Sequence, residues 1–515
     1  MTSRAGLGGL GGVVAAGAGL AAAELLTGYL HQRLSPLQAA AERIIALTPG
    51  AVAEGAISRV GHADKPLLVA GTLLGFFVLG AAGGVLSCWS LLGGESVFVL
   101  LGAAGVAAVW TTAPTEQLSL VPAVGGALVG IAALAVLTAR LRRGQIAART
   151  PVTGSGPMPA AQLDRRTFLW TAGAVAAGAV AAGAIGRWLA ASTAAVESAR
   201  AKLRLPIRRL VAAPPGVSVG VAGVSPWLTP VPAFYRVDTA LSPPQLLPEH
   251  WSLRIHGMVG RVVHLTYQDL LRLGLEQHWV TLCCVSNAVG GNLIGNALWA
   301  GVPVRKVLAL ARPGGGADVV YSRSVDGWTA TTPLSALMDA RPALLAVAMN
   351  GEPLTADHGF PVRLVVPGLY GYVSATKWVV DLQVTRFSDV TAFWTERGWS
   401  ARGPVKTESR IDVPRSGARL DSGVVAVAGV AWAQHRGIAK VEVRADGGPW
   451  REATLAADPT VDSWRQWVYH WDATSGSHRL QVRATDDRGV TQTPDFSGPP
   501  PNGASGWHTI GVRVA

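Results

Sequence analysis

Two uninterrupted apolar runs limit what this chain can fold into more than any other feature. Leu67–Leu86 (LLVAGTLLGFFVLGAAGGVL) and Leu118–Ala139 carry no charged residue. Each is long enough to cross a hydrocarbon core about 30 Å thick as a helix, which takes about 20 residues. Val97–Thr112 and Phe168–Gly186 are shorter runs of the same kind, and Leu7–Leu26 is a glycine-rich fifth. The sequence therefore predicts an α-helical transmembrane bundle of about five spans within residues 1–190. A mean hydropathy of +0.32 and 62 glycines agree with helices that pack through small residues in a membrane. The glycine pattern GLGGLGG at 6–12 precedes no βαβ unit, so it reads as helix packing rather than a dinucleotide-binding turn.

Basic residues set the orientation. Between the fourth and fifth spans stand Arg140, Arg142, Arg143, Arg149, Arg165 and Arg166 against a lone Asp164, which makes that loop cytoplasmic. The loop between spans two and three carries only Glu95. The fifth span then runs outward, and everything after Ala190 is expected on the extracytoplasmic side of a multi-pass plasma-membrane protein. LDRRTFLW at 163–170, ahead of an alanine-glycine run, resembles a twin-arginine export signal; the alternative is an ordinary positive-inside flank. Glu24 is the one charge within the spans, which gives a transporter little support. The net charge of +12 is spread without a continuous basic tract or nucleic-acid motif, so no nucleic-acid partner is expected.

Residues 191–229 read as a linker and 230–415 as a mixed domain, with strand-like LRIHGMVG followed by helical TYQDLLRLG. Residues 416–515 read as pure β. In GIAKVEVRADGGPW the apolar Ala439, Val441, Val443 and Ala445 alternate with polar residues before a D-G-G turn, and HRLQVRATDDRG repeats the device. Short strands at this spacing predict an immunoglobulin-like sandwich.

Chemistry concentrates at TLCCVSNAVGG, 281–291, which holds two of the three cysteines. Three cysteines exclude a disulfide-rich scaffold, and no fourth exists for a zinc site. Cys283 and Cys284 thus leave one buried structural thiol, one reactive or metal-binding thiolate, or both. Downstream, DHGFPVRLVVPGLYGYVSATKW at 357–378 groups His358, Arg363 and Lys377 as an anion or phosphate clamp, with Arg363 in a setting too apolar for a surface residue.

TLCCVSN, LIGNALWAGVPV, MNGEPL, DHGFPVRLVVPG and ATKW, in that order, resemble the molybdopterin-binding domain of the sulfite oxidase family. AWAQHRGIAKVEVRADGGPW resembles the dimerisation domain that follows it there. The resemblance covers about 230–515 and implies a molybdenum-molybdopterin cofactor. It assigns Cys284 as the molybdenum ligand, with Ser286 and Asn287 beside it and Cys283 as a packed structural thiol. It assigns His358, Arg363, Ser374 and Lys377 to the pterin phosphate and polar edge. AFYRVD, 233–238, matches a pterin- and substrate-side loop through Phe234, Tyr235 and Arg236, and Asp326 falls on another cofactor-facing loop. Trp399 aligns with the family's active-site tyrosine. A homodimer through the sandwich is also implied.

The departures bear on substrate. Where sulfite oxidases continue the cysteine motif with two arginines, this chain has Ala288 and Val289, and the family's Arg-Asn-His becomes Arg236-Val237-Asp238. Losing cations that face a dianion argues against efficient sulfite binding. The expected reaction is two-electron oxo transfer with a neutral sulfoxide or N-oxide. The alternatives are sulfite oxidation and a catalytically inactive binding module. Spans two to five contain no histidine, and His31 and His62 lie in or beside a loop, so no haem is expected in this chain. Electrons would pass to or from a separate partner, a cytochrome or a quinone-linked protein.

Overall fold

The computed structural model describes residues 2–30, 32, 34–48, 64–112, 118–149, 160–189, 192–207 and 209–515. His31 and His62 lie outside the described residues. The chain divides into two compact units, one of residues 1–195 with 239–245, the other of residues 196–238 with 246–515.

In the first unit the long helices are α1 (Thr2–Tyr29), α3 (Asp64–Ser87), α4 (Leu91–Thr112), α5 (Val121–Arg149) and α6 (Ala160–Leu189), with the shorter α2 (Pro36–Leu47) between α1 and α3. Five of them are long and apolar enough to cross a membrane: Ala5–Tyr29, Leu67–Ser87, Leu91–Thr111, Val121–Arg142 and Thr167–Ile185. The third begins earlier than the run at Val97 indicates, and it takes Glu95 into the helix instead of leaving it in the loop. One glutamate near a helix start does not break the turn, so the charge-free run understates the span.

Glycines set how closely these helices approach. A Cβ at Gly12 would overlap the backbone of Gly80 and Gly84, and one at Gly19 would meet Gly126 O at 2.7 Å. The GLGGLGG segment is thus a helix-packing face. Arg142 Nη2 donates to Ser87 O at 2.9 Å and satisfies an open carbonyl at the end of α3. Helix α2 starts in a capping box between Ser35 and Gln38. Its Leu37, Ala40 and Ile44 line an apolar cavity of about 610 Å³ with residues of α1, α3, α4 and α5.

The second unit opens with a mixed domain of strands β1 (Ser252–Gly257), β2 (Val263–Thr266), β3 (Glu276–Cys283), β4 (Ile294–Pro303), β5 (Val319–Ser324), β6 (Thr329–Pro333), β7 (Leu344–Met349), β8 (Glu352–Pro353), β9 (Arg363–Val365) and β10 (Val379–Thr385). They form two sheets, β2-β1-β10-β5-β6 and β3-β4-β7-β8, with β9 paired to β7. β4 is buried along its whole length, which explains its apolar run in place of alternation.

The remaining strands are β11 (Glu408–Val413), β12 (Arg419–Leu420), β13 (Gly423–Trp432), β14 (Ile438–Ala445), β15 (Arg451–Glu452), β16 (Thr454–Leu455), β17 (Arg465–Ala473), β18 (Gly476–Asp486) and β19 (His508–Val514). They make the sheets β11-β13-β17-β16 and β12-β19-β18-β14-β15. Val427, Ala431 and Trp467 of the first share a core with Val441, Leu480, Val482 and Ile510 of the second. This two-sheet sandwich already includes β11, upstream of the boundary read at residue 416. The four residues Glu408–Ile411 are all buried, so β11 shows none of the alternation that marks the later strands.

Candidate active site

Cys283 ends β3 and Cys284 opens the ten-residue turn to β4, where Cys283 faces Ile294 across the ladder. The turn is closed from within. Cys284 N–H donates to Leu293 O at 2.9 Å, and Asn287 N–H donates to Cys284 O at 3.1 Å. Asn287 Oδ1 accepts the Leu293 N–H at 2.8 Å. Asn287 is therefore the brace of the cysteine loop. Cys283 is 1% exposed and its thiol reaches Cys284 O at 3.4 Å. Burial raises its pKa well above that of a free thiol, which keeps it protonated. Cys284 is 8% exposed and Ser286 partly buried.

Around this loop the structure gathers most of the residues expected at the site. Phe234 stacks on Tyr235 (centroids 5.2 Å) and meets Trp299 and His358 edge-on at 5.6 and 5.7 Å. Gly295 on β4 makes room, since a Cβ there would come within 2.8 Å of the Phe234 ring. Tyr235 Oη lies against Gly371, where a Cβ would stand 3.8 Å from it. Burial, the largest cause, raises the Tyr235 pKa, so the phenol keeps its proton.

The cations converge beside these rings. Arg363, on β9, is 4% exposed, lies 5.1 Å over the Trp299 ring and donates to His358 O at 3.3 Å and Ala375 O at 3.4 Å. Burial lowers its pKa to about 10. Lys377 Nζ reaches Asp238 Oδ2 at 3.0 Å and Asp357 O at 2.8 Å. Burial, against the support of Asp238, brings its pKa to about 8. Gly359, at φ +99, fits here because a Cβ would press on Arg363 and Lys377 at 3.0–3.2 Å. His358 is 5% exposed; its Nε2 stands 3.3 Å from Val231 O and its Nδ1 has no partner among the described residues. Burial, then Arg363 and Lys377, lower its pKa to about 4. Arg236, a third exposed, bonds Asp238 at 3.1 Å and Asp357 at 2.9 Å.

Other expected residues stand further from this group. Asp326 occupies the β5–β6 turn, where its carboxylate accepts the Trp328 N–H at 3.0 Å. Val325 N–H donates to Trp378 O, which sets that turn beside Lys377. The buried Ser374 hydroxyl donates to the Leu369 and Tyr370 carbonyls, so its proton serves the short helix Gly371–Ser374. Trp399 is 6% exposed in a cluster with Tyr372 and Trp394. Among the described residues it makes no hydrogen bond or ring contact with Phe234, His358, Arg363 or Lys377.

Three further site residues lie inside the quoted motifs without being singled out by them: Asp357 and Trp299 complete the cation nest, and Asp238 bridges two of its members. From the sandwich, Arg410 Nη1 donates to Gly291 O at 2.6 Å across 119 residues, and His508 abuts Gly290.

The donor set suits a phosphorylated pterin. Among the described residues no carboxylate pairs with the buried Arg363, and an orphaned imidazole nitrogen lies next to it. Both are conditions an anion would relieve.

Residues 240–394 match the oxidoreductase molybdopterin binding domain family. The mitochondrial sulfite oxidase of Mus musculus is 30% identical over 341 residues, 56% of this chain and 62% of that protein. The oxidoreductase YuiH of Bacillus subtilis, itself uncharacterized, is 34% identical over 153 residues, 30% of this chain and 74% of its own length. The sulfane dehydrogenase SoxCD of Paracoccus pantotrophus, at 23% identity, shares the fold with a TM-score of 0.50 over 62% of this chain and 89% of that one. The chain thus spans about 62% of the mitochondrial sulfite oxidase it resembles, and the five apolar helices stand outside the matched domain. With a cysteine loop, a buried cation nest and these relatives in agreement, the chain belongs to the sulfite oxidase family of molybdopterin-dependent oxidoreductases.

Proposed function

We propose that this chain is a membrane-anchored enzyme whose catalytic unit faces the extracytoplasmic side and reduces a neutral sulfoxide or N-oxide. The observation that carries the substrate class is the tip of the cysteine loop: Ala288 and Val289 offer no cation to a dianion. The net reaction takes two protons and two electrons to release the oxide's oxygen as water, with the electrons drawn from a separate cytochrome or quinone-linked partner. The sandwich, read as immunoglobulin-like, serves as a homodimer contact.

Cys284 would bind molybdenum through its thiolate, and Arg236, His358, Arg363 and Lys377 would take the pterin phosphate and polar edge. Phe234, Ser286, Asn287, Asp326 and Ser374 would shape the remaining wall. The bound cofactor supplies two-electron oxo transfer. The protein's share is charge, orientation and water exclusion. Arg363 and Lys377 bring positive charge already stripped of water, so an incoming phosphate is not opposed by their desolvation. Tyr235 holds its phenolic proton on the cysteine side of the pocket.

The test is molybdenum and pterin analysis of the purified full chain beside Cys284→Ala, with steady-state assays on methyl phenyl sulfoxide and on sulfite. Stoichiometric cofactor, sulfoxide reduction and loss of both metal and turnover in the variant are the expected result. Rapid sulfite oxidation at low KM would reassign the substrate, and a folded protein free of cofactor from a cofactor-producing host would end the enzyme reading.

A further inference from the structure

The base of the Cys284 loop is braced by its own residues, but its tip is not. Within Ala288–Gly291 the one internal backbone bond is Gly291 N–H to Ala288 O at 2.8 Å. Two further restraints come from the sandwich. Arg410, on β11, donates to Gly291 O at 2.6 Å and is fixed by Asp412 Oδ1 at 2.6 Å and Ser225 Oγ at 2.9 Å. It is 7% exposed, so its three partners are defined and water cannot substitute for them. His508, at the start of β19, accepts the Ile411 N–H on Nδ1 at 3.0 Å, which fixes the plane of the ring. The other edge of that ring lies against Gly290, whose φ of +77 and close approach leave no room for a Cβ. One side chain thus pulls the tip by a carbonyl while its neighbour limits how far it moves.

We propose that Arg410 and His508 are positioning residues: acting from the sandwich, they set where Ala288 and Val289 stand and so shape the substrate side of the pocket. This rests on the oxide-reductase reading for the substrate, though not for the loop. A strut that only joined two domains would not need a directed bond to a carbonyl at the tip, nor a ring packed against a left-handed glycine there. Because the tip carries no cation, selection among oxides falls to its shape, and shape here is set from the second domain.

The test compares wild-type full-length holoprotein with His508→Ala, His508→Asn and Arg410→Lys. Hydrogen exchange is read on peptides covering 285–293, with molybdenum content and the kinetics of methyl phenyl sulfoxide reduction. In His508→Ala the tip amides should exchange about tenfold faster while the sandwich strands keep their protection. KM should rise about three- to tenfold with kcat and molybdenum content close to wild type, the pattern of lost substrate fit. His508→Asn keeps an acceptor for Ile411 N–H and should recover part of the KM; it also carries the test if the alanine variant does not fold. Unchanged tip exchange in both His508→Ala and Arg410→Lys overturns the proposal, and faster exchange with unaltered KM overturns its substrate half. If the wild type reduces no oxide, the proposed function fails, while the exchange comparison still decides the positioning role.

Discussion

Asp238 Oδ2 lies 3.0 Å from Lys377 Nζ, and the two side chains are 6% and 10% exposed. The same oxygen stands 3.1 Å from Arg236 Nε, so one buried carboxylate holds two cations of the nest in place. Under the proposed role of the nest in receiving phosphate, this has a definite consequence. The carboxylate pre-orders the cations but also offsets part of their charge. Asp238→Asn should therefore lower the melting temperature of the cofactor-free protein, since a buried cation such as Lys377 that loses its partner costs up to about 3–5 kcal/mol when nothing else compensates. It should also enlarge the rise in melting temperature that inorganic phosphate produces. Thermal scans with and without phosphate check both signs, and a smaller phosphate response in the variant would contradict them.

Asn287 is expected to matter as a brace. Its Oδ1 takes the Leu293 N–H at 2.8 Å, and Asn287→Ala leaves that donor without its partner at a cost of about 1–3 kcal/mol. Because the bond closes the loop that carries Cys284, molybdenum content should fall along with stability. Asn287→Asp, which keeps an acceptor in place, should retain more metal than the alanine variant.

Stability should depend on pH through His508. Burial, then the nearby Arg410, lower its pKa to about 4 against an ordinary value of 6.5. Between these values the unfolded chain binds a proton that the folded chain does not, so stability rises with pH through this window. The contribution is complete above about pH 6.5 and is lost as pH falls towards 4. Its size is about 1–3 kcal/mol, after a discount for the partial exposure of the ring. Chemical denaturation from pH 4 to 7 should show an acid limb that is shallower in His508→Asn.

In the helical unit, Gly12→Leu should disrupt the contact of α1 with α3, because any side chain there meets the backbone of Gly80 and Gly84. Overpacking of this kind costs about 1–3 kcal/mol or more. Gly6→Leu is the control, since nothing lies within 4 Å of a Cβ at that position. Thermal stability in detergent should fall for the first and hold for the second.

The grouping of the proposed site residues was partly legible in the sequence because most of them sit in short motifs. Cys284 with Asn287, and His358 with Arg363 and Lys377, fall within single loops, and the fold brings the two groups to one region. Trp399 illustrates the limit: one aromatic residue in a loop gives no direction, and its ring packs with Tyr372 and Trp394. Ser374 illustrates another, since its hydroxyl proton is spent on backbone carbonyls of its own turn. Strand β11 escaped because an edge strand buried along its first four residues lacks a period.

The sequence by itself determined the five apolar helices, since a long apolar run in a bilayer must satisfy its backbone internally and only a helix does so within one segment. It also determined the family, through residues spaced along local loops. The tertiary structure alone decided that Asp238 bridges Arg236 and Lys377, and that Arg410 and His508 of the sandwich meet the cysteine loop at Gly291 and Gly290. Apart from the local Arg236–Asp238 pair, these contacts join residues remote in sequence, and they are selected by packing and by the cost of burying a polar group unpaired. No local pattern records that cost.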